Sequence, residues 1–113
     1  MGEEHSVNVD VFFHSLFVRL FNYTIHISDI TLHEELRLFC VYFDHFKTGV
    51  REYERLYFTV SEDWLYDSIK NDDSLDIEDV SVDISGYDVM DNKTPVFYMI
   101  EPKTAGNKLL EQL

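Results

Sequence analysis

The nineteen residues TLHEELRLFCVYFDHFKTG, from Thr31 to Gly49, decide how the rest of the chain must be arranged. Thr31-Leu32-His33-Glu34 has the form of a capping box, in which a threonine hydroxyl and a glutamate three residues on satisfy exposed amides at a helix start. Leu32, Leu36, Phe39, Phe43 and Phe46 then recur at helical spacing, and Gly49 supplies a stop signal. The stretch therefore predicts a long amphipathic helix.

The neighbouring segments fit around such a helix. Upstream, Val9, Phe12, Phe13, Leu16, Phe17 and Leu20 mark a first helix over residues 9–21, with Asn8 as a candidate cap. A strand is the rival there, because Val7, Val9, Val11 and Phe13 also alternate. Tyr23, Ile25 and Ile27 alternate with polar residues as a strand should, ending at Asp29 or Thr31. Downstream, residues 53–60 read as a strand with Leu56, Phe58 and Val60 on one face. Ser61 can cap a short helix over residues 62–70 anchored by Trp64, Leu65 and Ile69. Val80, Val82 and Ile84 mark a strand ended by Gly86, and residues 96–100, apolar on both faces, mark a central strand closed by Pro102. A short helix is expected from Thr104. The sum is a single α+β domain with a sheet of about four strands packed by two longer helices and short ones.

At 113 residues, with 45 % apolar side chains, nine Phe, seven Tyr and one Trp, the chain is too hydrophobic and too aromatic for a disordered acidic tail. Its formal charge is −13, beyond the magnitude of about 2–8 that suits a small soluble domain. Phosphate-rich ligands are repelled by such a surface, so neither nucleic acid nor an anionic membrane is expected as a direct partner. A basic protein is its natural complement. Cys40 is the sole cysteine, which precludes an intrachain disulfide and favours a reducing compartment. With Glu3 and Glu4 near the start and no run of 18 apolar residues, a cytoplasmic, soluble protein is expected.

Half of the 22 carboxylates fall between Glu62 and Asp91, where Lys70 is the only cation. Glu62, Asp63 and Asp67 suit the start and solvent face of a short helix. The remaining excess centres on Asp72, Asp73, Asp76, Glu78, Asp79 and Asp83. Carboxylates at alternate strand positions stand about 6.6 Å apart, close to the rise of about 6.8 Å for two nucleotides along one DNA strand. Aromatic anchors beside charge are typical of interface hot spots, which adds Trp64 and Tyr66 to the candidate partner-binding set.

Other chemistry finds little support. Successive histidines among the five lie 7 to 12 residues apart, without the close pairs that zinc-binding helices use. Asp72, Ser74 and Asp76 open like a calcium loop, but Ile77 stands where glycine is needed and Asp83 where a bidentate glutamate is needed. Neither a nucleophile elbow nor a glycine-rich phosphate loop is present. No catalytic, cofactor-binding or metal-ligating residue is assigned. The expected function is a small acidic inhibitor, of the immunity-protein, phage anti-defence or DNA-mimic type, acting as monomer or homodimer on a basic, nucleic-acid-binding protein. A structural or adaptor subunit is the alternative, and a metal-assisted hydrolase the third.

Overall fold

The computed structural model describes residues 7–21, 26–47, 50–71 and 75–103. Helix α1 spans Val7–Phe21 and helix α2 Asp63–Asn71; the strands are β1 His26–His33, β2 Leu38–Lys47, β3 Val50–Val60, β4 Val80–Tyr87 and β5 Pro95–Pro102. They form one five-stranded sheet in the order β1-β2-β3-β5-β4, with β3 and β5 parallel and every other pair antiparallel. The protein is thus an α+β fold, as the sequence predicts, with five strands in place of about four.

The expected long helix over residues 31–48 does not form. β1 continues to His33, a 3₁₀ turn covers Glu34–Leu36, and β2 occupies most of the remainder. A spacing of four, as between Phe39 and Phe43, is two strand repeats as well as about one helical turn, so this pair satisfies both periods. Val41 breaks the tie: Phe39, Val41 and Phe43 are all buried in one core, whereas Leu36, which the helical stripe requires, is 65 % exposed. Aromatic and β-branched side chains suit a pleated surface, and β2 pairs along its whole length with β3, from Leu38 opposite Thr59 to Lys47 opposite Val50. Arg37, in the left-handed region at φ 50°, turns the chain from the 3₁₀ turn into β2. Gly49 and the tail from Thr104 lie outside the described residues, as do Tyr23 and Ile25 of the first expected strand, which runs on through a bulge after Ile27 rather than stopping at Asp29 or Thr31.

The other expectations hold more closely. α1 is a helix rather than a strand, and it begins early enough to place Asn8 inside its first turn. β5 is internal, between β3 and β4. Both helices lie on one face of the sheet and share a core with it. Phe13 and Phe17 of α1 meet Phe58 with ring centroids 5.2 and 5.8 Å away, and Leu65, Tyr66 and Ile69 of α2 complete the cluster. Arg19 of α1 donates a hydrogen bond to the Ile77 carbonyl at 2.6 Å, tying the helix to the 3₁₀ turn (Ile77–Asp79) that precedes β4.

The opposite face of the sheet carries the alternate residues. Pairing aligns Thr31, Cys40, Tyr57, Phe97 and Gly86 in one row across all five strands, with Tyr42 beside Arg55 in the next. Tyr57 and Phe97 stack at 4.9 Å with planes 13° apart. Phe97 lies over Gly86, where an added Cβ would come within 2.9 Å of its Cδ2 and 3.1 Å of its Cβ. Gly86→Ala should therefore lift the ring, disrupt the stack and cost about 1–3 kcal/mol in thermal unfolding. An unchanged melting temperature would contradict this seating.

Candidate functional site

The acidic residues singled out in the sequence take on separate roles. Asp72 and Asp73 lie outside the described residues. Asp76 precedes the second 3₁₀ turn, and its carboxylate accepts the Glu78 amide at 3.0 Å, so it serves as a cap. Glu78 and Asp79 project from that turn at the head of β4, and Asp83 is exposed on β4, an edge strand. The turn corrects the phosphate-like spacing expected of Asp76 and Glu78. A 3₁₀ segment rises only about 2 Å per residue, and Asp76 folds back onto the chain. Glu78, Asp79 and Asp83 are what the structure leaves as an outward acidic edge.

Trp64 and Tyr66, two residues apart on α2, point in opposed directions, because two helical residues rotate the side chain by about 200°. Tyr66 is buried: its ring stacks on Phe39 at 4.7 Å and carries the Lys70 ammonium 5.3 Å above its centroid. Trp64 is 54 % exposed. The expectation that Trp64 anchors α2 is thereby corrected: Leu65, Tyr66 and Ile69 do so, and Tyr66 is withdrawn from any partner surface. Among the described residues, neither the Tyr66 hydroxyl nor the buried Ser61 hydroxyl has a hydrogen-bond partner.

Burial pushes the Tyr66 phenol up to about 12 from its ordinary 10.0, helped by the negative charges of Glu34 and Asp67. In the unfolded chain the phenol releases its proton near pH 10, so between pH 10 and 12 folding stability should fall as pH rises. Tyr66→Phe removes an unsatisfied buried group. It should be neutral or stabilise by up to about 1 kcal/mol at neutral pH, and should lose the Tyr66 share of that alkaline decline in denaturant titrations.

Two of the cations near the block, Arg37 and Lys70, are engaged in holding the fold, whereas Lys103, whose amide donates to the Asp79 carbonyl, is exposed. Arg37 donates Nε–H to the Val60 carbonyl at 2.7 Å and pairs through Nη1 with Asp63 at 3.2 Å. The Lys70 ammonium pairs with Glu34. Among the described residues, Glu78, Asp79 and Asp83 take part in no ion pair. Asp88 and Asp91 organise the loop between β4 and β5. Asp88 accepts the Met90 amide at 2.7 Å; Asp91 accepts the amides of Lys93 and Thr94 at 2.9 and 3.0 Å and the Thr94 hydroxyl at 2.7 Å. Those hydrogen bonds, the Lys93 amide foremost, hold the Asp91 carboxyl below its usual range. On the bare face Asp44, the one buried charged residue among those described, contacts His26 Nδ1 at 2.9 Å.

Beside the Tyr57–Phe97 stack a cleft of about 530 Å³ opens, lined among others by Glu54, Arg55, Tyr87, Asp88 and Thr94. Tyr57 and Thr59 alternate with the core-facing Leu56, Phe58 and Val60, but only the pairing of β3 with β5 puts Phe97 next to Tyr57. Among the described residues there is no cluster of three or more His, Cys, Asp or Glu able to hold a metal ion, and no helix long and apolar enough to cross a membrane. No protein-family model, curated protein or solved structure matches the chain.

Proposed function

We propose that this chain is a small acidic binding protein that occupies the basic, nucleic-acid-binding surface of a partner protein and so inhibits it. The observation that carries this reading is the division of charge. Arg37, Lys70 and Arg19, the last bonded to the Ile77 carbonyl within the acidic block, are engaged in the fold, while Glu78 and Asp79 face solvent from the turn before β4 and Asp83 from that edge strand itself. A field of this sign concentrates cationic surfaces and accelerates their encounter, and it weakens with salt. Trp64, exposed on α2, is available as an apolar contact for the same partner.

The test is direct binding to a panel of basic nucleic-acid enzymes at low and moderate salt, with nucleic acid as competitor. Saturable binding that the competitor displaces supports the proposal; absence of binding to every member at low salt overturns it. A structural or adaptor role is the second reading, supported by Tyr87, Val89, Met90 and Phe97, which expose 40–89 % of their surface near the cleft. It requires self-association or subunit binding that persists in high salt, which size-exclusion chromatography at two salt concentrations distinguishes.

A further inference from the structure

We infer that the cleft beside the Tyr57–Phe97 stack seats an arginine side chain of the basic partner; this rests on the function proposed above and names a contact within it. The cleft exists because β5 pairs with β3 only from Tyr57 onward, so earlier β3 residues have the β4–β5 loop for a neighbour. Its volume of about 530 Å³ lies within the range of about 300–1,000 Å³ in which ligand sites fall.

The lining fits a guanidinium in three respects. Tyr57, Phe97 and Tyr87 line it with aromatic rings, and a guanidinium, planar and weakly hydrated, stacks on aromatic rings better than an ammonium. Among the charged residues that line it, the carboxylates of Glu54 and Asp88 stand beside one cation, Arg55, and a carboxylate accepts a guanidinium through paired hydrogen bonds. The Asp88 carboxylate is held in place by the Met90 amide at 2.7 Å. Finally, a guanidinium already stands there: Arg55 Cζ is 5.8 Å from the centroid of the Tyr57 ring. The wall therefore accepts this group from its own chain, and Arg55 is the cation with which an incoming arginine must compete.

The experiment measures binding of fluorescent octa-arginine and octalysine peptides by anisotropy at moderate salt. Octa-arginine should bind wild type at least threefold more tightly than octalysine. Tyr57→Leu and, at an exposed position where folding is not at risk, Tyr87→Ser should each erase that preference. Arg55→Ala should tighten octa-arginine binding at least threefold more than Lys103→Ala, which removes the same charge beyond the end of β5. Persistence of the preference in both tyrosine variants, or equal gains from the two cation removals, overturns the inference. If peptide binding instead responds only to Glu78→Gln/Asp79→Asn/Asp83→Asn, the cleft assignment fails and the acidic-edge function stands; if neither peptide binds wild type, both fail.

Discussion

Phe58→Ala is expected to destabilise the protein by about 3–5 kcal/mol, a large share of the roughly 5–15 kcal/mol by which small domains are stable. Phe58 is fully buried at the centre of the aromatic core. Its ring stacks on Tyr98 at 5.0 Å with planes 14° apart, and it touches Phe13 and Phe17 of α1. Truncation would remove contacts to a helix and to a neighbouring strand at once, leaving a cavity that rigid rings cannot collapse to fill. Denaturant unfolding should show a lower midpoint with an unchanged slope. A loss below about 1.5 kcal/mol would mean that α1 does not pack on β3 as described. Phe97→Ala, on the bare face where the ring is 40 % exposed, should cost distinctly less.

The second large effect concerns association. Neutralising Glu78, Asp79 and Asp83 together, as Glu78→Gln/Asp79→Asn/Asp83→Asn, should slow association with a basic partner about tenfold or more at low salt, with the difference shrinking as salt rises. Dissociation should change less, since exposed charges act mainly on encounter. Stability should hold or increase slightly, because the three groups form no ion pair among the described residues and their removal relieves self-repulsion. Asp29→Asn/Glu35→Gln, two exposed charges near β1 at the other edge of the sheet, serves as the comparison. Stopped-flow mixing at several salt concentrations decides the matter: an equal effect per charge at both edges would leave only the net charge, and no special role for the β4 edge.

Much of the acidic block's meaning was hidden in its sequence because a carboxylate looks the same whether it caps, pairs or waits. Asp76, Asp88 and Asp91 are bound to backbone amides within three residues, a local use that aspartate in loops often has. Asp63 pairs with Arg37, 26 residues away, and only the packing of α2 above the β1–β2 connection makes that partner available. Trp64 and Tyr66 could not be ranked without knowing which side of α2 meets Phe39.

The elements with one internally consistent period were legible from the chain alone. β4 alternates, residues 96–100 of β5 are apolar on both faces, the helical stripe of α1 outweighs the rival alternation at its start, and the charge of −13 is a property of composition. Thr31 to Gly49 was different, since Phe39 and Phe43 satisfy a helical and a strand period together and the capping box is a purely local signal. Pairing with β3, from Leu38 to Lys47, resolved it: a strand's hydrogen bonds are made to residues distant in sequence, so a segment suited to either state takes the one its neighbour completes. The same long-range pairing decided which aromatics share the bare face and where the cleft opens, which local spacing does not encode.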